Sequence, residues 1–300
     1  MVTKPETPPE FGAAVAEFGR SILADARRSL ADPALSQSES VHEVRKALKR
    51  WRALMRLLSK PLGAAADRRR SEARDLMRSL AMARDAQSAL DALADLRKAE
   101  APPTAASVQA ITARIVAIRD AAERTALTPE IGQRLMSYLD DMARWLNCWS
   151  LAALDFDAVA DGLTATYRRA RKLIPGKWPA ATAEHLHALR RRVVEHRHQM
   201  ELIEHLWPRL GRIRAEETQR LRSRLGACQD LAILEGLAAS HQPLARWRPR
   251  LHPCIASRRR EHLKTSARLA GRLFAEKPKA FRRRIAALWS HRLSHAAEDA

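Results

Sequence analysis

His42, Arg45, Lys49, Arg52 and Arg56 recur at 3-4-3-4 spacing in VHEVRKALKRWRALMRLL, residues 41–58. On a helix that spacing gathers all five side chains into one stripe. Val44, Leu48, Trp51, Met55 and Leu58 recur at 4-3-4-3 spacing and predict an ordinary core-facing seam. The two stripes lie roughly 100° apart around the helix. A solvated helix face usually mixes signs, because opposite charges at i, i+4 stabilise each other. A face that stays cationic over its whole length repels itself, and an anionic partner is the natural compensation. The plain alternative is a regular basic face with no ligand.

The whole chain carries the same bias. Lys and Arg outnumber Asp and Glu by 54 to 34, a net charge of +20. So large a charge points to an anionic partner: nucleic acid, an anionic membrane surface or an inorganic polyanion. The excess is uneven, with +5 in residues 1–150 and +15 in residues 151–300. Only 10 glycines, 2 tyrosines and 5 phenylalanines occur in 300 residues, a composition that favours helices over sheets. Cys148, Cys228 and Cys254 have no CxxC spacing, so free thiols in a reducing compartment are expected. The start, MVTKPETPPE, lacks the pattern of a secretory signal. No apolar run reaches the ~18 residues that would span a bilayer. A cytoplasmic, membrane-free protein is the expectation.

The elements that must position the stripe read as helices throughout. Residues 1–9 are a Pro-rich leader expected to be disordered. Helices are expected over 11–30, over the focal stretch from the Ser36/Glu39 capping box to near Pro61 and Gly63, and over 64–98 as one long helix. Two more cover 107–124 and 129–150, the latter capped by Thr128 with Pro129 at its first position. Near residue 151 the pattern starts again. Helices are expected over 156–173, 183–206 and 210–239, then over 255–275 and 278–295 after a stretch punctuated by Pro243, Pro249 and Pro253. No strand alternation of any length is present. The fold class is all-α, about ten helices in two bundle halves, residues 10–150 and 151–300.

A shift of 145 residues superposes the halves without a gap. His42 falls on His187, Arg45 on Arg190, Lys46 on Arg191, Arg52 on Arg197 and Met55 on Met200. Glu39 meets Glu184, Leu80 meets Leu225 and Asp85 meets Asp230. In each half a His opens a basic helix and an Asp follows 43 residues later. An antiparallel return would bring each Asp near the His, where it could orient the basic side chains and offset their repulsion.

These segments, with SLAMARDAQSAL and RLGACQDLAIL on the following helices, resemble the CHAD domain, the conserved histidine α-helical domain. So do RLFAEKPKAF near the end and the basic run Tyr167 to Lys172, so that the likeness spans residues 10–290. The resemblance implies an all-helical fold of two bundle halves with pseudo-twofold symmetry. It also implies binding of inorganic polyphosphate and association with polyphosphate granules. By residue, it implies a site from His42, Arg45, Lys49 and Arg52, with Lys46 and Arg56 added. From the second half it takes His187, Arg190, Arg191 and Arg197, with Arg168 and Arg171 from the basic run. Asp85 and Asp230 are the expected orienting carboxylates. Facing halves would line one groove or cavity with both stripes. The second half departs from the family pattern: Val194 stands at the Lys49 position and Glu195 at that of Arg50, while Ala81 replaces the glycine seen as Gly226. The first-half helix should therefore contribute more.

Arg offers phosphate oxygens a planar fork of donors and Lys a mobile point charge. A His near a polyanion adds charge as pH falls, so binding should strengthen from pH 8 to pH 6. Counterion release should make affinity fall steeply with salt. Three other readings compete. Glu39/His42 and Glu184/His187 spell E-x-x-H, as in di-iron bundles, but their neighbours are Arg and Lys and further carboxylates are missing. A metal-dependent phosphohydrolase or kinase would need a P-loop, GxGxxG or ExExK motif, or a nucleophile beside a base; none is present, so no enzyme, metal or cofactor is expected. Nucleic-acid binding fits the charge, yet Trp51 lies on the apolar stripe, and Trp145, Trp149, Trp207 and Trp289 read as packing residues rather than base-stacking platforms.

Overall fold

The computed structural model describes residues 11–80, 84–99, 102–123, 129–148, 154, 156–204 and 208–298. The leader, Ala81, Thr128, Trp149, His205 and Trp207 lie outside them. Among the described residues there are twelve α-helices, two 3-10 turns and no strand. The fold is all-α.

The order is α1 (Phe11–Ala31), α2 (Gln37–Leu57), α3 (Ser59–Leu62), α4 (Ala64–Ser79), α5 (Arg84–Leu96), α6 (Ala105–Glu123) and α7 (Pro129–Asn147). It continues with α8 (Phe156–Lys172), α9 (Ala183–Glu204), α10 (Pro208–Leu237), α11 (Arg248–Leu273) and α12 (Pro278–Glu298). The start of α2 is the expected capping box: the Ser36 hydroxyl accepts from the Glu39 amide at 3.3 Å and the Glu39 carboxylate accepts from the Ser36 amide at 2.9 Å. Glu39 is thereby a cap, and its carboxyl is held below the usual range first by a hydrogen bond donated from the Ser36 hydroxyl at 2.6 Å and then by the one from the Ser36 amide.

Two boundaries differ from the sequence expectation. Residues 64–98 do not form one helix. Arg45 explains how the first piece ends: one of its Nη groups donates to the carbonyls of Met77 at 2.7 Å and Leu80 at 2.8 Å, satisfying the last turn of α4. The corresponding stretch of the second half runs on as the 30-residue helix α10. Helix α11 starts at Arg248 rather than 255, because Pro249 sits in the first turn, where a missing N–H costs nothing, and Pro253 is carried inside the helix.

The apolar stripe of α2 is the centre of the main core. Val44, Leu48, Trp51, Met55 and Leu58 are each at most 1% exposed. They pack with residues of α1, α4 and α7 and also with α8, α9, α10 and α12. A second cluster joins Ala89, Leu93 and Ile111 of α5 and α6 to Leu231, Leu234 and Leu251 of α10 and α11. Both cores thus mix residues from before and after residue 150. Polar clamps do the same. Asp95 on α5 accepts from Arg258 of α11 at 2.8 and 2.9 Å and from His262 Nε2 at 2.6 Å. His262 Nδ1 accepts from Arg224, which fixes the ring tautomer, since a guanidinium only donates. Beside the main core, His196 is fully buried among the rings of Tyr167, Phe274 and Phe281, and neither ring nitrogen has a hydrogen-bond partner among the described residues. Burial, reinforced by Arg214, pushes its pKa down to about 3, so it stays neutral.

Close approach fixes α8 and α9 on α2. A Cβ at Gly162 of α8 would stand 2.4 Å from the Leu57 carbonyl oxygen, so only glycine allows the contact. Gln199 of α9, itself buried, donates to the Ala53 carbonyl at 3.2 Å.

Candidate functional site

The basic stripe of α2 emerges beside the core it belongs to and faces α9. Between them, with α10 as floor, lies a cavity of about 440 Å³. Helix α2 lines it with His42, Arg45, Lys46, Lys49 and Arg52, and α9 lines it with His187, Arg190, Arg191, Val194, Glu195, Arg197 and His198. Met77, Gln219 and Arg222 complete the wall. Among the described residues, eight Lys or Arg side chains therefore surround one carboxylate, and no Trp, Tyr or Phe takes part.

Second contacts hold several of these groups. His187 Nδ1 meets the Gln229 side-chain oxygen at 2.9 Å, and Arg190 donates to the same oxygen at 3.0 Å. Gln229 thus does in the second half what Asp230 was expected to do. Asp230 is half-buried, and its charge reaches Cys228: burial pushes that thiol up to about 12, with Arg259 opposing and Asp95 and Asp230 adding. Asp85 is exposed on the first turn of α5 and lines neither cavity described here. His187 and Arg190 meet a neutral amide at Gln229, and Arg45 meets two backbone carbonyls. Arg190 lies across Gly226, where a Cβ would come within 3.3 Å of its guanidinium. Gln219, Arg222, Gly226 and Gln229 fall at 3-4-3 spacing, a helix face legible in the sequence once α10 is known to floor the cavity.

Two cations of α2 are largely desolvated, Arg52 on the cavity wall and Arg56 one turn beyond it. Burial lowers the pKa of Arg52; Glu195 opposes this, and Arg70, Arg74 and Arg191 add to it. Arg56 is pushed down to about 10 by burial, again with Glu195 opposing and Arg70, Arg192 and Arg169 adding. Both remain cations at neutral pH. Both bury an Nε that has no partner among the described residues. At the far side, Arg197, Arg50 and His198 share Glu201 at 3.3, 3.5 and 3.3 Å. Burial raises the Glu201 carboxyl, but the His198 hydrogen bond and the fields of His198, Arg197 and Arg50 outweigh it and hold it below the usual range.

Not every predicted residue reaches this cavity. Arg56 and Arg168 line a second one of about 340 Å³ between α2 and α8, together with Lys60, Arg169 and Arg282. There Asp161 takes Lys60 at 3.0 Å and Arg282 at 2.8 Å. Arg171 lines neither; its Nε donates to the Phe274 carbonyl at 3.0 Å and so finishes the C-terminus of α11. The single groove expected from the sequence is two cavities, with Arg52 and Arg56, one helical turn apart, leading from one to the other. Among the described residues no three His, Cys, Asp or Glu side chains are placed to hold a metal, the three cysteines are unbridged, and no helix is long and apolar enough to cross a membrane.

Comparison with known proteins bears on the fold and family. The family model described as the CHAD domain matches residues 13–239. The fold is similar to the crystal structure of the CHAD domain from the plant Ricinus communis, with a TM-score of 0.54 at 18% identity over 96% of each chain. A search of curated proteins finds no match.

Proposed function

The chain belongs to the CHAD domain family, and on that premise we propose that it binds inorganic polyphosphate in the cavity between α2 and α9 and associates with polyphosphate granules. The observation that carries the proposal is the charge balance of that cavity: eight Lys or Arg against one carboxylate, with half-buried guanidiniums on the inner wall. A cluster of that kind is costly in the free protein, because like charges repel and desolvation adds to the cost. A ligand with a negative charge on every unit offsets both.

The wall supports phosphate in preference to bases. Guanidiniums and ammoniums match phosphate oxygens, whereas single-strand nucleic-acid sites interleave aromatic platforms, and no Trp, Tyr or Phe among the described residues lines this cavity. Nothing on the wall pairs a nucleophile with a base, so the role proposed is binding and not catalysis. The test is retention on immobilised long-chain polyphosphate. Wild type is compared with His42→Ala/Arg45→Ala/Arg52→Ala and with His187→Ala/Arg190→Ala/Arg197→Ala. Both triple variants should lose retention, the first more than the second. Equal retention of all three proteins, or displacement of polyphosphate by DNA at equal phosphate concentration, rejects the proposal.

A further inference from the structure

Glu195 is out of place. It is the one carboxylate among the described residues lining the cationic cavity, and it stands where the repeat would set a counterpart of Arg50. Its side chain is 16% exposed and pairs with Arg192 at 2.7 Å. Its field reaches two other cations at once, Arg52 in the first cavity and Arg56 in the second. An ordinary surface carboxylate would pair with one neighbour and face water. Glu195 is instead the shared counter-charge at the junction of two basic cavities.

We infer that Glu195 is a built-in competitor for the ligand, a carboxylate paired with Arg192 on the wall of the cavity that Arg52 also lines, and that it sets the affinity threshold of the site. With no ligand bound it offsets part of the mutual repulsion of these arginines. With ligand bound its charge opposes the chain that passes from one cavity to the other. A polyanion must therefore outcompete an internal anion, which a long chain does through its many other contacts and a lone phosphate does not. Without the carboxylate, these arginines become available to one more phosphate.

The inference rests on the polyphosphate reading, and its test separates the two. Affinity for long-chain polyphosphate is measured across a range of salt for wild type, Glu195→Gln, Glu195→Asp and Glu17→Gln. The last removes an equal charge from the exposed face of α1, which does not line the cavity. Glu195→Gln should bind about tenfold more tightly at low salt, the scale of one unit charge removed at contact distance. Its salt slope should steepen by about one, as for one added phosphate contact. Glu195→Asp should stay near wild type, and Glu17→Gln should gain less than about twofold through net charge alone. A loss of affinity in Glu195→Gln overturns the inference, because the carboxylate would then be holding Arg192 in place or carrying a cation to the ligand. A gain no larger than that of Glu17→Gln, or an unchanged salt slope, overturns it too. If wild type itself fails to bind, the polyphosphate reading falls and takes the inference with it, a result distinct from the others.

Discussion

Replacing Arg52 by methionine should move binding and stability in different directions. The substitution keeps an apolar stem of similar reach and removes the charge. In the free protein the guanidinium is half-buried, and its field partners include Arg70, Arg74 and Arg191 as well as Glu195. Its one hydrogen bond to a described group is weak, from Nη1 to the Met77 sulfur at 3.8 Å. Deleting the charge removes three repulsions and one attraction, all partly screened by solvent. The net change in unfolding free energy should lie between zero and about 1 kcal/mol in favour of the variant. For a chain of this size that is a thermal midpoint unchanged or up by about 2 °C. In the complex, the same guanidinium supplies charge-assisted hydrogen bonds worth about 1.5–3 kcal/mol. At about 2 kcal/mol, affinity for polyphosphate should fall roughly thirtyfold. Isothermal titration at fixed salt gives the affinity and differential scanning fluorimetry gives the midpoint. A variant that binds within about twofold of wild type refutes the assignment. A midpoint lowered by more than about 4 °C shows that Arg52 is a structural element, and the argument from repulsion is then wrong.

Three further outcomes are expected. Val194→Lys restores the missing cation on α9 and should tighten polyphosphate binding severalfold while steepening its salt dependence by about one unit; titration at several salt concentrations checks it. His196→Leu should flatten the acid side of the stability curve: the folded pKa, about 3, lies below the unfolded value of 6.5, so the unfolded state takes up a proton first and wild type loses stability as pH falls through that interval. Urea titrations at pH 7 and pH 5 should show a smaller difference for the variant. Burial raises the Asp95 carboxyl, but hydrogen bonds from His262 and Arg258 outweigh it and hold it well below the usual carboxylate range, so its contribution is complete above about pH 4 and fades as pH falls further. Asp95→Asn should therefore destabilise at pH 7, by about 3 kcal/mol for a broken, largely buried ion pair, and much less at pH 2–3.

The periodicity of residues 41–58 gave away both faces of α2, because a helix that serves a core and a ligand at once must carry two stripes. His42, Lys49 and Arg52 face the cavity as their spacing predicted, and so do His187, Arg190 and Arg197. The break in residues 64–98 was not legible, since Leu80 and its neighbours are good helix formers. The end of α4 is set by Arg45, 35 residues away from Leu80. Spacing also could not single out Gln229, because whether it or its neighbour Asp230 meets His187 depends on the rotation of α10 against α9, a matter of packing. Arg171 was misread because carbonyls at a helix end attract guanidiniums as readily as an anionic ligand does. Helix α11 hid behind its prolines, which mark a first turn as often as a break.

The walls of the main cavity are far apart in time as well as in sequence. Helix α2 ends at Leu57 and α9 begins at Ala183. At roughly 5–20 residues per second, the ribosome needs on the order of 6–25 s to reach the second wall after finishing the first. Through that interval the cationic stripe of α2 stands without its facing wall, its apolar stripe lacks the part of the core that α9 brings, and the Gln199 contact that will seat α9 against it does not yet exist. Such a segment suits a holdase on one side and ribosomal RNA on the other. Expression without chaperone support should then trap the nascent protein as aggregates rich in nucleic acid, and ribosome stalling near residue 150 should make the loss worse.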